Sequence, residues 1–263
     1  MAAGRNDQLA PSDLPELVQK IRARTPARLL AGRSGASYRT NTQMELREAH
    51  AAARDAVRLE LDLARDLGVE LISQWNLFEV NTRAITKEEY LLRPDLGRQF
   101  SDESRERILK HCTGGNDLQI AIGDGLSVTA VSTQVPPLLE FLREGAKTRG
   151  WSVGQIFVIR HCRVGILNQI GELLAPRVAV LLIGERPGLA TAESLSAYLA
   201  YRPNKNHTDA DRNLISNIHS RGLNSHEAAN RILNLADRMM TAQKSGCQLK
   251  EQQPLLDQKT NQL

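Results

Sequence analysis

The run Val178-Ala179-Val180-Leu181-Leu182-Ile183 constrains this chain more than any other stretch. It sits between Pro176 and Gly184 and has no polar residue to turn toward water. A half-exposed strand alternates apolar and polar residues. An uninterrupted apolar run of this length reads instead as a strand buried on both faces, as in a parallel sheet covered by helices. Directly after it comes Gly184-Glu185-Arg186-Pro187-Gly188, two charges held in a tight Gly/Pro turn. In open α/β sheets, ligands sit in the crevice beyond the carboxyl ends of the strands. This loop is therefore the first candidate for a binding edge.

The same pattern recurs around it. Leu118–Ile122 predicts a strand leading into Gly123-Asp124-Gly125, and residues 135–148 predict a helix opening on Pro136-Pro137. Gln155–Arg160 predicts a second strand, ending in His161-Cys162-Arg163-Val164, and residues 167–174 a second helix. Residues 194–201 fit either a further strand or a short helix. A last helix is expected from Ser225 to Lys244, with Ala228, Ile232, Leu235, Ala236 and Met239 on one face and Gly246 as its stop. Strands alternating with helices imply an α/β fold with a doubly wound parallel sheet. Parallel alignment would place Asp124, Val164 and Glu185 along one sheet edge.

The N-terminal part reads as a mostly helical extension. Residues 1–11 are expected to be disordered, and Asp13-Leu14-Pro15-Glu16 opens a short helix. Arg22, Arg24, Arg28, Arg33 and Arg39 then lie among glycines and serines. This is either a solvated basic loop or an arm that meets a partner or a phosphate. Residues 42–67 predict one long helix closed by Gly68, residues 69–100 a strand and turns, and residues 101–111 a capped helix. Thr113-Gly114-Gly115-Asn116-Asp117 reads as a linker. The expected division is 1–115 for the N-terminal arm and helical region, 116–245 for the sheet domain, and 246–263 for a polar, disordered tail.

Composition removes several classes. A net charge of +4 with only four Phe and four Tyr leaves little for base stacking, so nucleic acid is not the expected partner. No apolar run reaches the roughly 18–20 residues of a membrane helix, and the first residues hold no apolar core for secretion. The three cysteines, Cys112, Cys162 and Cys247, have neither disulfide nor metal-ligand spacing, which suits a cytoplasmic chain. There is no G-x-G-x-x-G after a strand, no Walker lysine loop, no H-E-x-x-H and no G-x-S-x-G. Asp124 and Glu185 offer an acid–base pair, although carboxylates in such loops more often hold a turn. His50, His161 and His219 are isolated. A ligand edge without a self-sufficient catalytic set fits a cofactor-holding subunit better than an independent enzyme. The other reading is a free-standing α/β module that binds a nucleotide or similar anion at the same edge.

The segments TPARLLAGRSGASYRTNTQMELREAHAAARDAV, YLLRPDLGRQ, IAIGDGLSVTAV, RVGILNQIGE, LLIGERPGLATAESLSAY and DADRNLISNIH stand in order along the chain. In them the chain resembles the small (light) subunit of ethanolamine ammonia-lyase, over about residues 25–244. The resemblance implies a subunit of an adenosylcobalamin-dependent lyase that converts ethanolamine to acetaldehyde and ammonia by radical chemistry. It further implies a Rossmann-like domain that closes over the nucleotide tail of the cobalamin. The substrate site would lie on a large-subunit barrel, within a hetero-oligomer of both subunits, and no catalytic residue is expected on this chain. The family's cobalamin contacts carry over to Val164, Glu185 and Leu214. Leu214 departs from the cysteine often found there, and His161-Cys162 from a more usual Tyr-Gly. The chain has no Asp-x-His-x-x-Gly, the mark of proteins that displace the benzimidazole, so cobalamin is expected base-on, with no protein metal ligand. Longer N-terminal extensions occur where the enzyme is packed into a bacterial microcompartment. Here only about two dozen residues precede the match, and encapsulation stays open.

Overall fold

Two clusters of buried apolar residues organise the molecule, one on each face of a sheet. The computed structural model describes residues 16–24, 29, 31–188 and 191–249. Met1–Pro15, including the predicted cap at Ser12 or Asp13, and Arg28 lie outside the described residues, as do residues 250–263 of the predicted tail. The chain begins with α1 (Glu16–Ala23), a small hairpin of β1 (Arg33–Ser34) and β2 (Ser37–Tyr38), and α2 (Thr40–Arg58). It continues through α3 (Leu63–Leu67), α4 (Val69–Trp75), β3 (Phe78–Asn81), α5 (Lys87–Leu92) and α6 (Asp102–His111). Then come β4 (Leu118–Gly123), α7 (Val128–Thr148), β5 (Phe157–Arg160), α8 (Leu167–Leu174) and β6 (Val178–Gly184). The last elements are β7 (Leu195–Tyr201), β8 (Asn213–Ile218) and α9 (Ser225–Ala242).

Among the described residues the main sheet has six strands in the order β3-β5-β4-β6-β7-β8. The first four run parallel; β7 and β8 are antiparallel to their neighbours. The expectation of an all-parallel doubly wound sheet is corrected to a mixed α/β sheet. The reason is loop length. Only residues 185–194 join β6 to β7, and only residues 202–212 join β7 to β8. A parallel crossover needs about a dozen residues or more, usually a helix, so these connections can only turn the chain back. The first strand, β3, comes from the segment ahead of Thr113–Asp117.

Helices cover both faces. Ile120, Ile122, Val180 and Leu182 face α7 and α9, against Val131, Leu138, Ile232 and Met239. Ala121, Phe157, Leu181 and Ile183 face the other way, against Ile108 of α6 and Ile170 of α8. All seven residues of β6 are buried, as its unbroken apolar run requires.

Three helix boundaries differ from the sequence reading. The predicted helix over 42–67 breaks after Arg58. Asp62 caps α3 by accepting the Arg65 N–H at 2.8 Å, which turns Leu61 into the core at 2 % exposure. Glu60, freed from the helix, meets Arg160 at 2.7 Å. At α7 the helix starts seven residues before the predicted 135, because Ser127 caps it on the Ala130 N–H. Pro136 and Pro137 fall inside it, and Thr133, whose carbonyl Pro137 frees, is exposed to water. At α9 the cap is Asn224, not Ser225, and the helix ends at a left-handed Gln243, ahead of Gly246. Gly246 to Leu249, assigned to the tail, are fixed: Asn213 hydrogen-bonds the Gly246 N–H and donates to the Leu249 carbonyl, both at 2.6 Å.

Burial also sets an expected pH response. Burial pushes the Cys162 thiol well above its ordinary value of 9.0, with Asp124 pushing the same way and Arg163 against it. Burial takes Cys112 to about 11. The folded chain keeps these protons after the unfolded chain has lost them. Their contribution is therefore complete below pH 9 and declines as pH rises above it. Lys87 works in the opposite sense, since burial lowers its ammonium from 10.5 and its penalty relaxes on the way up. A difference measurement separates the two. Denaturation midpoints under reducing conditions from pH 7 to 10.5 should fall less steeply for Cys162→Ala than for the wild-type chain. Parallel curves would show that the Cys162 thiol does not report unfolding.

Candidate functional site

The carboxyl ends of β4, β5 and β6 approach one another closely, and glycine permits it. A Cβ on Gly125, at φ +57°, would lie 2.3 Å from the Gly184 carbonyl oxygen, and one on Gly184 would lie 2.0 Å from that of Ser127. The Gly-Asp-Gly turn and the Gly-Glu turn therefore interlock.

Asp124 is 1 % exposed and works inside this junction. Its carboxylate accepts the His161 N–H at 2.9 Å and the Cys162 N–H at 2.8 Å, tying β4 to the end of β5. The ammonium of Lys87, buried at 2 %, stands 3.8 Å from it and donates to the Gly125 carbonyl at 3.2 Å. A carboxylate engaged in this way holds a turn. It is no acid–base partner for Glu185.

Glu185 occupies the next loop. Its carboxylate accepts from Ser194 Oγ at 2.8 Å, from Ser196 Oγ at 2.5 Å and from the Asn217 N–H at 3.0 Å. The donors come from the start of β7 and the end of β8, so Glu185 staples three strand ends together. An ionised carboxylate offers about four acceptor positions. Three are filled by the protein, which leaves room for a donor from outside.

In front of Glu185 opens a cavity of about 370 Å³. Val164, Glu185 and Leu214 all line it, although they lie on the turn after β5, the loop after β6, and β8. Tyr90, Ser196 and Tyr198 complete the part of the wall that matters here. Leu214 is 47 % exposed at its mouth, an apolar side chain offered to solvent. Burial, and then the Glu185 charge, raise the Tyr198 phenol above its ordinary value, so it remains a hydrogen-bond donor. Burial does the same to Tyr90, whose hydroxyl donates to the Cys162 carbonyl at 3.0 Å.

Histidine takes no part in the wall among the described residues. His161 is buried, with Nδ1 3.0 Å from the Ala84 carbonyl oxygen, and His219 is held by Asn217 and the Arg221 N–H. Among the described residues no group of three His, Cys, Asp or Glu side chains is placed to hold a metal ion.

The family model of the ethanolamine ammonia-lyase light chain (EutC) matches residues 15–250. The chain belongs to this family. Among its relatives, the ethanolamine ammonia-lyase small subunit of Clostridium acetobutylicum is 40% identical over 235 residues, covering 89% of this chain and 95% of the relative. The small subunit of Clostridium perfringens is 42% identical over 235 residues, covering 89% and 78%. That of Listeria innocua is 42% identical over 231 residues, covering 88% and 77%.

Within this light-chain fold, sequence reasoning does not single out Lys87, Tyr90, Ser194, Ser196 or Tyr198. A signal for two of them exists. In Leu195-Ser196-Ala197-Tyr198-Leu199 every second residue is apolar and buried, so Ser196 and Tyr198 must share the opposite face. Leu214 and Ser216 alternate with buried Ile215 in the same way. Lys87 gives no such signal, since a lysine in a polar stretch predicts a solvated side chain.

Proposed function

We propose that this chain is the small subunit of an adenosylcobalamin-dependent ethanolamine ammonia-lyase and that the 370 Å³ cavity receives part of the cofactor at the interface with a large subunit. One observation carries the reading: Val164, Glu185 and Leu214, the positions the resemblance implies, come from three separate segments and line one cavity. The relatives' printed names, ethanolamine ammonia-lyase small subunit, supply the reaction and imply a larger partner in a hetero-oligomer.

The residues present fit such a group. The cavity is far smaller than a whole corrinoid, so it suits one edge of the cofactor with the remainder covered by another chain. Apolar walls from Ile183, Val164 and Leu214 suit an aromatic base, and the free acceptor position of Glu185 suits an amide donor. The base-on state is carried by the sequence, which has no Asp-x-His-x-x-Gly, and by the family resemblance. When bound, adenosylcobalamin supplies homolysis of its cobalt–carbon bond, which begins the radical deamination. This chain's residues bind, orient and exclude water: Glu185 accepts, Tyr198 donates, and Leu214 covers. The four parallel strands with helices on both faces serve as the Rossmann-like half that carries the cavity.

The large-subunit surface is assigned to the N-terminal arm. α2 buries none of its residues, and Met44 on it is 63% exposed. The hairpin before it presents Arg33 over the exposed Tyr38 ring. A helix of this kind draws its stability from tertiary contact, which the large subunit would complete. Among the described residues no helix is long and apolar enough to cross a membrane.

The test is co-expression with a candidate large subunit, followed by acetaldehyde formation and the cobalamin spectrum in the presence of ethanolamine. Acetaldehyde is expected only when both chains are present. No complex and no bound cobalamin would favour the free-standing anion-binding module instead.

A further inference from the structure

Two neighbouring pairs of residues divide between two cavities. Val164 and Leu214 line the first; Gly165 and Arg212 line a second, of about 520 Å³. Its charged wall comprises Arg98, Lys205 and Arg212, with His207, against Glu172 and Asp209. Asp209 is already paired with Arg212, so the cavity is left short of negative charge.

Arg212 is built in rather than draped over the surface. Its side chain is 5% exposed. Its Nη2 donates to Asn168 Oδ1 at 2.9 Å, and the Asn168 amide donates to the His207 carbonyl at 2.8 Å, which fixes the guanidinium plane. Its Nε is buried with no hydrogen-bond partner, and so is Nδ1 of His207. Buried polar groups normally find partners, so two orphans in residues that line one cavity point to a ligand with several acceptors. Burial lowers Arg212 from its ordinary value; Asp209 opposes this and the like charge of Arg98 adds to it. Arg98 and Lys205 are exposed and have no carboxylate within ion-pair distance among the described residues. Gly165 positions Arg98, since a Cβ there would lie 2.9 Å from the Arg98 Cγ and Cδ.

We propose that this cavity is a phosphate site, in which Arg212 and Arg98 hold the oxyanion and His207 and Lys205 close its rim. A phosphoryl group has enough acceptor oxygens to meet Arg212 Nε, the Arg98 fork and an Nδ1–H of His207 together, and guanidinium groups match its geometry. The volume leaves room for an ester substituent. The oxyanion has two possible sources: free phosphate, or a phosphodiester on a ligand that reaches past Val164 and Gly165 from the first cavity.

The test uses the full chain and inorganic phosphate at fixed ionic strength, read by calorimetry and ³¹P line broadening. Arg212→Gln disturbs a buried network and can cost the fold, so the deciding variant is Arg98→Gln with Lys205→Gln, both at exposed positions. Saturable binding is expected in the wild-type chain, weakened about tenfold or more in the double variant. Competition by cyanocobalamin but not by cobinamide, which lacks the phosphodiester, would assign the site to a nucleotide tail. Competition by neither would assign it to free phosphate. The proposal is overturned by absent phosphate binding, by equal affinity in the double variant, or by equal competition from both corrinoids. The phosphate measurement needs no cobalamin, so its outcome is independent of the first cavity's role.

Discussion

Asp124→Ala is expected to destabilise the chain by about 3–5 kcal/mol, the range for removing one partner of a buried ion pair. The substitution leaves the His161 and Cys162 N–H groups without an acceptor and the Lys87 ammonium without its counter-charge. Lys87 retains the Gly125 carbonyl and the face of Tyr90, 4.9 Å away, neither of which carries a full charge. For a chain of this size the loss corresponds to a fall in Tm of roughly 6–20 °C. Pairing the change with Lys87→Met separates the ion pair from the two N–H bonds. The double variant should recover part of the loss, because it no longer buries an unpaired ammonium. A Tm within about 2 °C of wild type for Asp124→Ala would show that the junction of β4 and β5 does not depend on this carboxylate.

The same junction shows how far residues alone lead. Asp124 lies beyond a strand end in the sequence, and so does Glu185, and nothing local distinguishes them. What separates them is Lys87, which comes from α5 and is brought in by β3 as that strand joins the sheet beside β5. Burial of one carboxylate with a lysine, and of the other with two serines and a backbone N–H, is a tertiary outcome.

Where periodicity is strong, the chain was legible. β6 and α8 match their predicted spans within a residue, because an unbroken apolar run and a tight apolar stripe each permit one solution. β7 is ambiguous in sequence because Leu195–Tyr201 is short and its two alanines suit either state. β8 gives no strand signal in sequence because Asn213-Leu214-Ile215-Ser216-Asn217-Ile218 shows only Ile215 and Ile218 to the core, a bulged edge pattern rather than clean alternation. The antiparallel edge followed from loop length, a quantity available in the sequence once β7 and β8 are recognised. Val164 and Glu185 are legible from the strand ends they follow, whereas Leu214 is legible only through family resemblance, since no general spacing rule ties residue 214 to that edge.

Leu214→Asp is expected to weaken cobalamin binding by about 10–100-fold, which corresponds to losing the burial of one leucine against the cofactor. It should leave stability within about 0.5 kcal/mol, because Leu214 is half exposed in the free chain and belongs to neither buried core cluster. Glu185→Ala is expected to reduce both. It removes the acceptor for Ser194, Ser196 and Asn217, two of whose donors are buried hydroxyls, at a cost of about 2–3 kcal/mol to the fold. The two variants therefore form a pair, read by equilibrium dialysis of cyanocobalamin against the complex with the large subunit and by thermal denaturation of this chain alone. Leu214→Cys should stay close to wild type in both, since a packing contact needs an apolar surface and not a particular atom. If Leu214→Asp bound cobalamin as tightly as wild type, the cofactor would not cross the mouth of this cavity. Glu185 would then be left with a purely structural role as the staple of β6, β7 and β8.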